Sequence, residues 1–254
     1  MALDPGAMGL PVGRRPIGAR VRAATTTVAG ASDLLYSLTS LICNFEGANG
    51  AASTTDGSPI GHTITFNGDA QISTARAAAG SSSVLFDGTG DYLTIADAAS
   101  LRLSGDFTIE FQLYPEDGPT VAQAVVYVQD DLTFAAQAIL WTGTNLDFYS
   151  SSNGSTWDIA NAVRVASSLS TGAWSGHVAV TRTDNTYSTY HNGSRTSTFT
   201  SSSTPISGYS TGIGARPNGN NPFQGNVDQL RITKGAARYT GASYIVPTGL
   251  FPTS

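Results

Sequence analysis

The chain has 254 residues and a mass of 26.2 kDa, long enough for one large β domain or two small domains. Only 12% of its residues are charged, about half the roughly 25% of an average globular protein, while 28 glycines and 11 prolines supply frequent turns. This balance excludes a coiled coil, a helical bundle and a highly charged disordered chain. The net charge of −5 argues against general nucleic-acid binding, and no apolar run approaches the roughly 18 residues of a membrane-spanning helix. Cys43 is the single cysteine, so no internal disulfide forms. Met1–Pro11 has neither the basic start nor the apolar centre of a signal peptide.

Residues 1–33 read as an extended arm. Four of the 13 basic side chains, Arg14, Arg15, Arg20 and Arg22, fall here against only Asp4 and Asp33. The segment is rich in proline and glycine and has no sustained apolar period, so it cannot build a core alone. It is expected to be ordered by a partner protein, through arginine pairing and strand addition at Val21–Val28. Packing on its own domain is the competing expectation.

From Leu34 to Ser254 the texture is that of short strands between turns. Ser83–Ile95 reads as two strands around the Asp87-Gly88 turn. Phe107–Leu113 (FTIEFQL) alternates strictly, which predicts a half-buried strand with Thr108, Glu110 and Gln112 on its wetter face. Further strands are expected at Ala124–Gln129, Ala135–Trp141, Asn145–Ser150, His177–Arg182, Ser188–His191 and Asn226–Thr233, and one short helical turn within Ala96–Leu101. Asn153-Gly154, Asn192-Gly193 and Asn218-Gly219 mark turns, because asparagine and glycine tolerate positive φ. The fold class is therefore all-β, an antiparallel sandwich.

The motifs Ser83–Leu93 (SVLFDGTGDYL) and Gly105–Phe111 (GDFTIEF) resemble the opening of a laminin-G-like, or concanavalin A-like, jelly roll. Trp174–Arg182 (WSGHVAVTR) resembles its central strand and Tyr190–Gly193 (YHNG) the hairpin that follows. Ile213–Ala215 and Phe223–Ile232 (FQGNVDQLRI) resemble its closing strands. The tail Arg231–Thr240 (RITKGAARYT), with Pro247 and Phe251-Pro252, is similar to tails on such domains in bacteriophage virion proteins. The resemblance implies a structural protein on the exterior of a phage particle, held to capsid or tail proteins by its arm and decorating or cementing the surface. A homotrimer is the oligomer such proteins often form. The rival expectation is a glycan-binding adhesin module that recognises a host surface.

Catalysis is not expected. The jelly-roll glucanases carry a Glu-x-Asp-x-x-Glu strand that this chain lacks, and Pro115 interrupts the nearest pair, Glu110 and Glu116. His62, His177 and His191 have neither nucleophile-triad nor zinc-ligand context. Tyr149, Trp157 and Tyr187, beside polar loops, are the candidate glycan-stacking residues; Trp174 is assigned to the core. Period two in Val227–Ile232 places Asp228 on one face with Leu230 and Ile232, where a carboxylate needs pairing, hydrogen bonds or a metal. The family resemblance offers a structural calcium there, with Glu46 as second ligand; an arginine pair or loop amides are the alternatives.

Overall fold

Alternating apolar residues set the frame. Phe107, Ile109, Phe111 and Leu113 point one way from a nine-residue strand, and Thr108, Glu110, Gln112 and Tyr114 the other. The computed structural model describes residues 33–119 and 121–254, so Arg14, Arg15, Arg20, Arg22 and Val21–Val28 lie outside the described residues. Among these the strands are β1 (Thr39–Cys43), β2 (Thr65–Asn67), β3 (Gln71–Ser73), β4 (Ser83–Asp87), β5 (Tyr92–Ile95), β6 (Phe107–Pro115), β7 (Gln123–Asp130) and β8 (Ala135–Trp141). They continue with β9 (Leu146–Ser150), β10 (Ala160–Ala166), β11 (His177–Thr183), β12 (Thr186–His191), β13 (Ser194–Thr200), β14 (Thr211–Ile213) and β15 (Gln224–Lys234).

All pairings are antiparallel and build two sheets. One runs β13-β12-β11-β6-β15-β4-β3, with β1 also joined to β15; the other runs β10-β9-β8-β7-β14-β5-β2. Their inner faces meet in one apolar core. Phe107, Phe111, Val178, Val180, Leu230 and Ile232 come from the first sheet, and Val126, Ile139, Trp141, Phe148 and Ile213 from the second. Each such buried side chain contributes about 1.5–3 kcal/mol. The β12–β13 hairpin turns on Asn192 (φ 47°) and Gly193 (φ 78°), the two left-handed residues of a tight hairpin. A side chain at position 193 would also strike the Tyr244 carbonyl.

The outer face of the first sheet is not wet. Residues 235–254 fold back across it, and Glu110, expected on the wetter face of β6, is fully buried beneath them. Its carboxylate accepts hydrogen bonds from Arg231 Nε (2.8 Å), Tyr239 Oη (2.6 Å) and His177 Nε2 (3.1 Å). Arg231 and Arg238 both reach Asp33, at 3.1 and 2.7 Å. Two carboxylates and two guanidiniums thus neutralise one another. Tyr244 Oη contacts His177 Nδ1 at 2.7 Å and stacks on Tyr239, ring centroids 3.6 Å apart. Arg231 also lies over the Phe251 ring, 3.9 Å from its centroid. Farther along, Arg195 and Tyr244 exchange backbone hydrogen bonds with Ala242 and Gly193, so the tail also covers the start of the β13 edge.

Burial alone would raise the Glu110 pKa, but the His177 hydrogen bond and the Arg231 charge outweigh it and hold it at about 2. The folded value lies below the unfolded one. The resulting stability is therefore present above about pH 4.5 and lost as pH falls through 4.5 toward 2. Glu110→Gln should cost about 3–5 kcal/mol at neutral pH, because it strands buried cations. It should also flatten the acid limb of a urea-stability profile; an unchanged acid limb would refute this account.

Candidate functional site

The outer face of the second sheet carries a different surface. Tyr127 on β7, Ala138 and Leu140 on β8 and Tyr149 on β9 point away from the main core and form a second apolar cluster. Trp157, from the β9–β10 loop, lies across it with its ring 5.3 Å from Tyr149 and 4.8 Å from Phe134. All three aromatics are half-buried, each leaving part of its surface to solvent.

The loop that presents Trp157 is closed by its own polar side chains. Asn153 Oδ1 accepts from the Ser155 and Thr156 amides at 2.8 and 2.9 Å, and Asp158 accepts from the Ser152 amide at 2.8 Å. Burial raises the Asp158 pKa, but the hydrogen bonds from Ser152 and its neighbours together outweigh it and hold the carboxyl below the ordinary range.

Fixed charges flank the rings. Arg216 makes a two-pronged contact with Asp130 (2.8 and 2.6 Å) and lies 5.3 Å from the Tyr127 ring centroid. Arg164 pairs with Asp147 at 2.8 Å. Burial raises the Asp147 carboxyl above its usual range against the pull of Arg164. Burial and the Asp147 charge both raise the pKa of the Tyr149 hydroxyl, which therefore stays a neutral donor.

The expected residues separate cleanly. Tyr149 and Trp157 come together, joined by Phe134, which the sequence did not single out. Tyr187 does not join them. It is fully buried, stacked on Phe199 at 4.9 Å and edge-on to Phe107 at 6.0 Å, a core residue whose hydroxyl has no hydrogen-bond partner among the described residues. Trp174, assigned to the core, instead sits half-buried against Tyr114 on the outer side of the first sheet.

Asp228 is fully buried, yet not on the face of Leu230 and Ile232. A bulge at Gln229 (φ 51°) shifts the β15 register, so Val227, Leu230 and Ile232 face the core and Asp228 turns outward under the 76–82 loop. It accepts the Ala78, Ala79 and Gln229 amides at 2.8, 3.1 and 2.8 Å. Burial pushes its pKa up to about 7, with Glu46 adding to the rise and the three amides opposing it. Glu46 likewise accepts from Ser81 and Ser82. Calcium requires six to eight oxygen ligands, whereas the partners here are N–H and O–H donors. The donor set suits hydrogen-bonded carboxylates and does not fit that ion.

Among the described residues, the histidines and the Glu110 and Glu116 carboxylates considered from the sequence are not brought together as a catalytic set. His62 Nε2 meets Ser100 Oγ at 3.0 Å, and among the described residues no carboxylate bonds the other ring nitrogen. Glu110 is sealed beneath the tail, and Glu116 pairs with Arg76.

The double-sheet sandwich agrees with comparison to known proteins. The sequence pattern described as Laminin_G_3, concanavalin A-like lectin/glucanases superfamily, matches residues 87–238. The chain belongs to this superfamily. The binding domain of Paraclostridial Mosquitocidal Protein 1 superposes with a TM-score of 0.63 at 15% identity, covering 80% of this chain and 50% of that one. The botulinum neurotoxin serotype D binding domain gives 0.62 at 10% identity, over 80% and 49%. The chain thus spans about half the length of these toxin binding domains. Domain 4 of AbnA, an extracellular arabinanase from Geobacillus stearothermophilus solved with arabinotriose, gives 0.57 at 20% identity, over 78% and 93%. No curated protein matches the chain.

The two tyrosine environments are separable by mutation. Tyr187→Ala should cost about 3–5 kcal/mol in urea unfolding, as a core aromatic does, whereas Tyr187→Phe should be neutral or stabilising because the lost hydroxyl is unpartnered. Trp157→Ala should cost clearly less than Tyr187→Ala; equal losses would place Trp157 in the core.

Proposed function

We propose that the sandwich is a carbohydrate-recognition module that binds without cleaving. The observation that carries this reading is the convergence of Phe134, Tyr149 and Trp157 into one half-exposed aromatic patch flanked by fixed carboxylates and guanidiniums. Flat rings take up the apolar face of a sugar, and short polar groups take its hydroxyls. Superfamily membership and the arabinotriose complex of the arabinanase domain support the same reading. Binding without hydrolysis is favoured because Glu110 and Glu116 are both committed to internal partners.

A display role on a phage particle is the finer part of the proposal. Asp33, the first described residue, donates its amide to the Ser254 carbonyl at 3.3 Å and pairs with Arg231 and Arg238 on the outer side of the first sheet. The aromatic patch lies on the outer side of the second. In this reading residues 1–33, with Arg14, Arg15, Arg20 and Arg22, anchor the module to capsid or tail proteins on the virion exterior.

A glycan microarray probed with the full chain should show binding that Trp157→Ala and Tyr149→Ala each weaken about tenfold or more. Absence of any binding, or binding indifferent to both substitutions, would refute the recognition site. Co-sedimentation with stripped particles should require residues 1–33; equal binding by the truncated chain would move attachment to the sandwich.

A further inference from the structure

Beside the aromatic patch, at the end of the second sheet where β5 and β7 finish and β14 begins, lies a cleft of about 390 Å³. This is within the roughly 300–1,000 Å³ typical of small-ligand sites. Its walls bear Asp97, Asp130, Asp131, Tyr209, Ser210 and Asn218. The β7–β8 loop joins it to the patch, because Asp131 Oδ1 accepts the Thr133 and Phe134 amides at 2.7 and 2.6 Å.

The cleft is built rather than incidental. Buried Gln129, itself in the left-handed region (φ 52°), accepts the Gly208 and Tyr209 amides on Oε1 at 2.7 and 3.0 Å. These bonds fix the loop that offers the Tyr209 ring, 40% exposed, to the opening. Opposite it, Leu132 adopts φ 72° and is 49% exposed. A β-carbon in that conformation is strained, and backbone strain of this kind gathers at ligand sites. Tyr209 and Leu132 thus add two large, partly exposed side chains to a lining that combines Pro217 with the carboxylates, Ser210 and Asn218.

Its charge is one-sided. Asp130 is neutralised by Arg216, and Asp97 by Arg102, whose hydrogen bond holds the Asp97 carboxyl below its usual range. Asp131 makes no ion pair among the described residues, although Arg216 also feels its charge; its hydrogen bonds come from backbone amides. The cleft therefore carries one excess negative charge, on Asp131, beside several acceptors. Such a lining rewards hydroxyl donors and penalises a carboxylate or sulfate on the ligand.

We infer that this cleft is a subsite of the carbohydrate face and selects uncharged saccharides over acidic ones. The inference rests on the proposed recognition function and adds the ligand class and four residues, Asp97, Asp131, Tyr209 and Asn218, to the site.

The test uses the full chain and matched probes, lactose against sialyllactose and arabinotriose against trigalacturonate, by microarray and titration calorimetry. The neutral member of a pair should bind about tenfold more tightly at low salt, and added salt should narrow the gap. Tyr209→Ala should weaken neutral binding with the melting temperature preserved, and Asp97→Asn with Asp131→Asn should admit the acidic member. Acidic probes binding as tightly as neutral ones, or a Tyr209→Ala protein with undiminished affinity, would overturn the inference. If only acidic probes bind and Trp157→Ala abolishes this, the recognition site survives while the cleft's selectivity falls. Absence of binding to every probe would remove both.

Discussion

A carboxylate at the centre of β6 has to be satisfied out of contact with water, and much of the molecule is arranged around that requirement. Glu110 brings together β11 through His177, β15 through Arg231 and the tail through Tyr239. Arg231 and Arg238 extend the set to Asp33, where the described chain begins. An isolated buried charge would cost far more than folding can supply, and a balanced, fully bonded cluster is the arrangement that removes that cost. The consequence is topological: the tail must lie where its tyrosine and arginine reach Glu110, so the first sheet cannot present an open outer face there.

That closure separates the work of the two sheets. The first is covered by the tail, with its charges matched and its β13 edge partly occupied. The second keeps Phe134, Tyr149 and Trp157 partly in water. Because the core between the sheets is continuous and densely apolar, the outer face of the second sheet is a rigid platform. Rigidity matters for recognising small polar ligands, since hydrogen-bonding groups held in place lose little entropy when a ligand arrives. The self-closed 151–158 loop and the Gln129-held 208–209 backbone apply the same economy at the two loops that carry Trp157 and Tyr209.

Most of the fold could be read from the sequence, because alternation and turn chemistry are local signals. β8 falls on its expected limits, and β6, β7, β9, β11, β12 and β15 lie within one to two residues of theirs. β10 and β13 were harder to see. Bulges and the left-handed Ala162 interrupt the alternation of β10, and the threonine-rich β13 looks like a loop until its pairing with β12 is known. The site was legible only in part. Tyr149 and Trp157, singled out beside short polar residues, do come together on the outer face of the second sheet, but Tyr187 gave the same signal from a core position. Proximity to a turn says nothing about which face a strand residue occupies. Asp228 shows how narrow that margin is: its burial followed from the sequence, while one extra residue at Gln229 reversed its side.

Glu110 illustrates the deeper limit. Period two assigned it correctly to the face away from the core, and the inference from outer face to water then failed because a segment about 130 residues later covers it. The sequence does contain the partners, since Arg231, Arg238 and Tyr239 all lie in the Arg231–Thr240 segment. Their spacing follows from geometry. Arg231 belongs to β15, which pairs with β6 opposite Glu110 itself, and the chain then turns at Gly235 to carry Arg238 and Tyr239 back over the same carboxylate. A tail motif of this composition is thus explained by a lock on the first sheet. It need not report a ligand, because the outer face of the second sheet can change without disturbing the lock.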